Sequence, residues 1–132
     1  MMGTVVAAAD ENFDVDVPLL IIGAGAAGLC AALAAKEAGI DAIVIERDAV
    51  PAGSTALSAG LIPAAGTRFQ RAKGIMDSPQ LLAADIQRKT KGGADSAVVD
   101  AVAHGAGALV EWLADRYGFP FDVIDNFGHT TL

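Results

Sequence analysis

A glycine-rich turn between two apolar runs constrains the fold of this chain more than any other feature. The apolar run 17–22 leads directly into Gly23-Ala24-Gly25-Ala26-Ala27-Gly28, which has the spacing G-x-G-x-x-G. An alanine-rich segment with high helix propensity follows at 26–38. A second apolar run, 42–46, ends in Glu46. This order predicts a strand, a helix and a parallel strand, the βαβ unit of a Rossmann-like α/β fold.

Each glycine of this turn has a separate predicted role. Gly23 permits a tight turn after the strand, Gly25 lets a pyrophosphate approach the main chain, and Gly28 lets the helix pack closely on the strand. The free N–H groups and the positive dipole end of the helix would then face the phosphates. We expect the Glu46 carboxylate to accept hydrogen bonds from an adenosine ribose and to repel a ribose 2′-phosphate. The turn therefore predicts dinucleotide binding, and it does not by itself separate FAD from NAD.

The remainder of the chain is predicted to contain a long loop and two further helices. Glycine and proline punctuate the loop, which we interpret as a segment that wraps a ligand; a flexible surface loop is the alternative. Ser78 followed by proline is a typical helix start, and Asp95 or Ser96 can cap the next helix. The predicted elements are a loop at 48–74 with at most one helical turn, helices at 79–91 and 96–117, and a short strand at 121–124.

Three separated motifs together match a known pattern from about residue 15 onward. They are the strand and glycine turn with Val44-Ile45-Glu46-Arg47, the loop 52–64, and Thr90-Lys91-Gly92-Gly93 followed by a helix that ends in Glu111-Trp112-Leu113. The combination resembles the flavoproteins of the fumarate reductase and succinate dehydrogenase family, which includes soluble fumarate reductases and 3-ketosteroid dehydrogenases. The loop departs from the family pattern where Ala52 and Leu61 each replace a glycine.

This resemblance implies that the cofactor is FAD. It also implies that FAD is bound without a covalent link, because Ser54 stands where the covalently flavinylated members have histidine. Residues 15–132 would form the N-terminal part of an FAD-binding domain, without the substrate (cap) domain, after a flexible leader at 1–14. The residues that the resemblance assigns to the cofactor are Gly23, Gly25, Ala26, Ala27, Gly28, Glu46, Arg47, Ser54, Thr55, Gly60 and Leu61.

The implied activity is hydride transfer between the flavin and a carbon–carbon bond next to a carbonyl or carboxylate of a small-molecule substrate. Family members are much longer, so we expect the catalytic residues to lie in sequence that is not present here and the chain not to be catalytic alone. A companion polypeptide would supply the missing segments. The alternative is a non-catalytic nucleotide-binding or assembly subunit; an NAD-binding domain of another enzyme class is a third possibility, and the loop 52–64 argues against it.

Charge and composition exclude several other functions. The 132 residues carry a net charge of −7, whereas nucleic-acid binding needs a basic surface. We predict no metal site, a structural role for Cys30, a helix-surface or core position for His104, and a structural or unassigned role for His129. Acidic residues near the N-terminus argue against a secretory signal, and no uncharged run reaches the roughly 20 residues that span a bilayer. We therefore expect a cytoplasmic protein with no membrane partner.

Overall fold

The structure is a computed structural model, and it describes residues 12–121. Its elements group into two compact units, Met1–Gly60 and Leu61–Leu132. In chain order the elements are β1 (Leu19–Ile22), α1 (Ala26–Glu37), β2 (Ala42–Ile45), α2 (Gly53–Leu57), α3 (Arg68–Ala72), α4 (Pro79–Lys89) and α5 (Ser96–Tyr117). The predicted order of strand, helix and strand is thus confirmed.

The first unit contains a two-stranded parallel sheet whose strands are connected by α1. Its register pairs Leu19 with Ala42 at one end and Ile22 with Ile45 at the other. The crossover helix ends where sequence analysis predicts, because Gly39 adopts a left-handed φ of +70° that favours glycine. This is the βαβ unit of a Rossmann-like fold.

The two faces of this sheet differ in exposure. On one face Ile21 is buried, and its Cγ2 lies close to the position a side chain at Gly28 of α1 would take. The opposite face is formed by four aliphatic side chains that are 43–80% exposed, namely Leu20, Ile22, Ile43 and Ile45. Parallel sheets are normally covered on both faces, so this apolar face has the composition of a buried surface.

In the second unit, α4 and α5 pack together around a small core. Ala65, Leu82 and Ala103 are buried there, and Ala83 and Ile86 pack against them. The predicted helix starts are confirmed: the Ser78 hydroxyl accepts a hydrogen bond from the Leu81 N–H at 3.1 Å, and Asp95 caps α5 through the Ala97 N–H at 2.9 Å. Serine and aspartate at these positions satisfy N–H groups that have no partner within the helix.

Segment 48–74 contains two short helices, α2 and α3, where sequence analysis predicts at most one helical turn. The second of these helices forms because Thr67 and Gln70 make a capping box. The Gln70 side chain accepts from the Thr67 N–H at 2.9 Å and donates to Asp77 at 2.7 Å. The T-x-x-Q spacing was therefore a readable signal for this helix.

An ion cluster links α3 to α5. The Arg68 guanidinium donates to both carboxylate oxygens of Asp115, with one distance of 2.8 Å, and the Arg68 main-chain N–H donates to Glu111 at 2.6 Å. The hydrogen bond from Arg68 lowers the pKa of Asp115, and Asp115 in turn raises the pKa of Arg68. These pairs fix the start of α3 against the last turns of α5.

Helix α5, with 22 residues, is long and apolar enough to cross a membrane by length and composition alone. It is the one such helix in the part of the chain that the structure describes. Its buried side chains, Val99, Ala103 and Val110 among them, lie in the second unit. The predicted strand at 121–124 lies outside the described residues except for Phe121, and the predicted leader does so except for residues 12–14.

Candidate dinucleotide-binding site

The glycine turn forms an elbow between β1 and α1. Gly23 has a φ of +101°, and its N–H donates to the Ile45 carbonyl at 2.7 Å, which continues the pairing of the strands by one residue. Gly25 is the N-cap of α1 and has extended backbone angles. The turn thus directs the start of the helix towards the carboxyl edge of the sheet, the edge at which open α/β sheets bind ligands.

Two glycines of the elbow are required for different reasons. A Cβ at Gly28 would lie 1.9 Å from the Gly23 carbonyl oxygen and 3.3 Å from Ile21 Cγ2, so a side chain here would collide with the main chain of the turn. Within the described part of the chain, a Cβ at Gly25 would meet only the Thr55 hydroxyl, at 3.4 Å, which is an ordinary contact. The space above Gly25 is therefore open, as the close approach of a pyrophosphate requires.

Glu46 lies at the end of β2 and faces the elbow. One carboxylate oxygen accepts from the Ala24 N–H at 2.8 Å, and the other accepts from the Asp48 N–H at 3.1 Å. The hydrogen bond from Ala24 is the largest cause that lowers the pKa of Glu46, followed by that from Asp48. The carboxylate is therefore ionised at neutral pH, as an acceptor for ribose hydroxyls must be.

Thr55 of α2 reaches the same elbow from a segment 29 residues further along the chain. Its hydroxyl accepts a hydrogen bond from the Ala26 N–H at 3.1 Å. Ala26 is the first residue of α1, so this hydroxyl caps the helix in place of the N-cap glycine, which has no side chain. The structure therefore brings together the turn, Glu46 and Thr55.

The other predicted site residues have different surroundings. Arg47 pairs with Asp48 at 3.2 Å, and its side chain is 89% exposed. Ser54 is exposed on α2, Gly60 has a φ of +77° and donates to the Ser58 hydroxyl at 3.1 Å, and Leu61 is the first residue of the second unit and is 61% exposed. Their contacts with a cofactor stay predictions.

Ala24 is a site residue that sequence reasoning missed. It is buried, and its N–H is the donor that holds Glu46 against the turn. Sequence analysis predicts that the Glu46 carboxylate binds a ribose, and it does not predict the hydrogen bond from the Ala24 N–H to this carboxylate. The bond could have been found from strand order: Glu46 follows β2 and Ala24 follows β1, and the ends of two neighbouring parallel strands lie close together.

The residues of the elbow fit a dinucleotide, the ligand that this fold implies. Among residues 12–121, no acceptor is found for the N–H groups of Gly25 and Ala27 at the positive end of the α1 dipole. Within the same residues, no group of three or more histidine, cysteine, aspartate and glutamate side chains lies together so as to hold a metal ion. The site has main-chain donors for an anion and one ionised carboxylate, which suits a nucleoside diphosphate.

A parallel βαβ unit with this elbow and this acid defines the class of dinucleotide-binding proteins. Comparison with known families is more specific: residues 18–131 match the family described as FAD binding domain. The chain belongs to this family, and its cofactor is FAD.

Individual relatives agree with this assignment. The chain is 33% identical over 126 residues to a urocanate reductase of Eggerthella lenta, covering 94% of this chain and 21% of the relative. It is 36% identical over 112 residues to an NADH:fumarate oxidoreductase of Klebsiella pneumoniae, covering 83% of this chain and 11% of that protein. The chain thus spans about a fifth or less of the length of these two relatives.

A solved structure has the same fold as this chain. It is the 3-ketosteroid-delta4-(5alpha)-dehydrogenase of Rhodococcus jostii RHA1 in complex with 4-androstene-3,17-dione. The TM-score is 0.73 at 33% identity, and the match covers 84% of this chain and 23% of that chain. The predicted family resemblance is therefore confirmed by sequence and by structure.

Proposed function

We propose that this chain is the FAD-binding portion of a flavin-dependent oxidoreductase that acts on a carbon–carbon bond next to a carbonyl or carboxylate. The observation that carries the proposal is the elbow itself: a Cβ at Gly25 would meet little, the Gly25 and Ala27 N–H groups at the helix start have no acceptor among residues 12–121, and Glu46 is turned towards them. When bound, FAD supplies the hydride chemistry, and the protein supplies binding and orientation.

The chain's own residues would hold the adenosine diphosphate part of the cofactor. The N–H groups of Gly25 and Ala27 would donate to the phosphates, where the α1 dipole favours negative charge. The Glu46 carboxylate accepts main-chain N–H groups of the turn and of Asp48, and because a carboxylate has about four acceptor positions it can also accept a ribose hydroxyl. A 2′-phosphate would be repelled by the same charge, which favours FAD over NADP.

The remaining predicted contacts extend this proposal towards the flavin. We assign Arg47, Ser54, Gly60 and Leu61 to the cofactor on the strength of the family resemblance, together with Thr55, whose hydroxyl lies at the elbow. Serine at position 54 supports non-covalent binding.

The reaction class is supported by the relatives. Urocanate and fumarate, named in two of them, are both acids with a carbon–carbon double bond conjugated to a carboxylate, and the structural neighbour is named as a dehydrogenase of a ketosteroid. The shared chemistry is hydride transfer at a carbon–carbon bond activated by an adjacent electron-withdrawing group. A cytoplasmic location stays a prediction.

The exposed sheet face supports a role for further polypeptide in the complete enzyme. Leu20, Ile22, Ile43 and Ile45 form an apolar surface that a parallel sheet normally buries. We propose that segments corresponding to the rest of the relatives, supplied as a companion polypeptide, cover this face and bring the catalytic groups. If no such segments exist, the chain is a non-catalytic nucleotide-binding or assembly subunit.

Reconstitution with FAD tests the cofactor proposal. The purified chain is incubated with FAD and desalted, and bound flavin is measured from its visible absorption. We expect Glu46→Ala to weaken binding at least about 10-fold, because the variant loses the charge-assisted hydrogen bonds to the ribose. Glu37→Ala, the same change at the far end of α1, should leave the affinity unchanged. A wild-type chain that retains no flavin would refute the proposal, and equal affinities of wild type and Glu46→Ala would remove Glu46 from the site.

A companion polypeptide is tested by co-purification. The chain is isolated from its own cells, and the co-purifying proteins are identified by mass spectrometry. We expect a polypeptide that carries the remaining flavoprotein segments, and we expect the assembly to reduce an α,β-unsaturated acid or to oxidise a ketosteroid. Assembly with flavin but without either activity would favour the non-catalytic alternative.

A further inference from the structure

Two side chains from distant segments bond to alternate N–H groups of the glycine turn. Glu46, 22 residues after Ala24, accepts from its N–H at 2.8 Å, and Thr55, 29 residues after Ala26, accepts from its N–H at 3.1 Å. We call these two side chains braces. Glu46 follows directly after β2, and Thr55 lies in α2. The elbow is therefore held on both sides of Gly25 by groups that are not part of it.

These bonds divide the N–H groups of the elbow into two sets. Ala24 and Ala26 are satisfied by side chains and Gly23 by the Ile45 carbonyl, while within residues 12–121 the N–H groups of Gly25, Ala27 and Gly28 have no acceptor. A Cβ at Gly25 would lie 3.4 Å from the Thr55 hydroxyl, which is an ordinary contact, so the bond from Ala26 to Thr55 does not itself require glycine at this position.

We propose that Glu46 and Thr55 are positioning residues that fix the turn in its binding shape before any dinucleotide is present, and that they leave the Gly25 and Ala27 N–H groups for the phosphates. The ligand class rests on the proposed function, whereas the bracing is a property of the chain alone. A site ordered in advance binds more tightly, since less freedom is lost on binding. Both braces can still form hydrogen bonds with a ligand. The Thr55 hydroxyl can donate its proton, and the Glu46 carboxylate has further acceptor positions.

Amide hydrogen exchange of the FAD-free chain tests the proposal. Exchange rates at Ala24 and Ala26 are measured by NMR on the 15N-labelled chain, in sucrose-containing buffer that favours the folded state. Thr55→Val keeps the shape of the side chain and removes the hydroxyl, so we expect the Ala26 rate to rise about 5-fold while the Ala24 rate stays constant. Glu46→Ala should raise the exchange rate at Ala24 and leave the rate at Ala26 constant. Thr90→Val, the same chemical change in α4's C-cap, should alter neither rate.

The conservative variant separates bracing from general loosening. Thr55→Ser keeps the hydroxyl and should restore the wild-type rate at Ala26. The proposal is overturned if Thr55→Val leaves Ala26 unchanged, if either variant accelerates both amides equally, or if Thr55→Ser loosens Ala26 as much as Thr55→Val does. A separate FAD titration distinguishes this outcome from failure of the proposed function: selective exchange in a chain that does not bind FAD keeps the braces and refutes the cofactor role. FAD binding without selective exchange would keep the cofactor role and refute the braces.

Discussion

Substitution of Gly28 by alanine gives the most direct test of the elbow's packing. The new Cβ would lie 1.9 Å from the Gly23 carbonyl oxygen, whereas a carbon–oxygen contact normally needs about 3.3 Å. The obstructing atom belongs to the main chain of the turn, so no rotamer change can relieve the collision. The turn or the helix must therefore shift by more than an ångström.

The size of the effect follows from two opposing terms. Overpacking of a well-packed site costs about 1–3 kcal/mol, and a main-chain obstruction places Gly28→Ala at the upper end. Alanine regains up to about 1 kcal/mol relative to glycine inside a helix. The net loss is about 2 kcal/mol, which corresponds to a fall in Tm of about 8–16 °C for a unit of this size.

Gly25→Ala is the matched control in the same turn. Its Cβ would lie 3.4 Å from the Thr55 hydroxyl, an ordinary contact, so stability should change by less than about 1 kcal/mol. Because the methyl group occupies the space above the turn, FAD affinity should still fall at least about 10-fold, a loss of about 1.4 kcal/mol or more.

Thermal unfolding followed by circular dichroism, together with an FAD titration, separates the two variants. We expect Gly28→Ala to lose both stability and binding, and Gly25→Ala to lose binding alone. An unchanged Tm in Gly28→Ala would refute the packing argument, and full FAD affinity in Gly25→Ala would refute the role of the open space.

Three further predictions concern the second unit. Gly107→Ala should destabilise by about 1–3 kcal/mol in urea unfolding, because its Cβ would lie 2.6 Å from the Ala65 carbonyl oxygen. Gly105→Ala on the same helix would place its Cβ within 4 Å of no atom of residues 12–121 outside its own stretch of helix, so it should stabilise by up to about 1 kcal/mol. Equal effects of the two variants would contradict the contact at Gly107. Lys91 has a φ of +54°, so Lys91→Gly should raise the free energy of unfolding by about 0.5 kcal/mol, measured as a higher urea midpoint. A lower midpoint would argue against strain at this position. Since the pKa of Asp115 is lowered below its usual 3.8, the stabilisation by its ion pair is present above that pH and lost as pH falls through the lowered pKa. The stability difference between wild type and Asp115→Asn should therefore disappear in acid, and a difference that persists there would contradict the pairing.

The elements around the glycine turn were predictable because local sequence determines them. Apolar runs, helix-forming alanines and the turn glycines agree on the same βαβ unit, and the Ser78-Pro79 start of α4 is equally local. The helix α3 was missed although its Thr67–Gln70 capping box is also a local signal. The missed helix is thus a case in which a local motif indicates an element that sequence analysis did not predict.

The contacts that complete the site could not be predicted in the same way. The bond from Ala26 to Thr55 joins residues 29 positions apart, and it depends on how the segment after β2 returns to the elbow. The position of Glu46 at the end of a strand was predictable, but its bond to the Ala24 N–H depends on the turn's three-dimensional shape. Such contacts are set by tertiary packing and not by propensity or spacing.

The central claim is that the elbow of residues 23–28 holds the diphosphate of FAD and that Glu46 holds its ribose. It is tested most directly by titrating the 15N-labelled chain with FAD and following the main-chain amide signals by NMR. We predict that the largest shifts at saturation fall on Gly25 and Ala27, with smaller shifts around Glu46. Saturable FAD binding whose shifts fall elsewhere in the chain, with the amides of the elbow unmoved, would contradict the account.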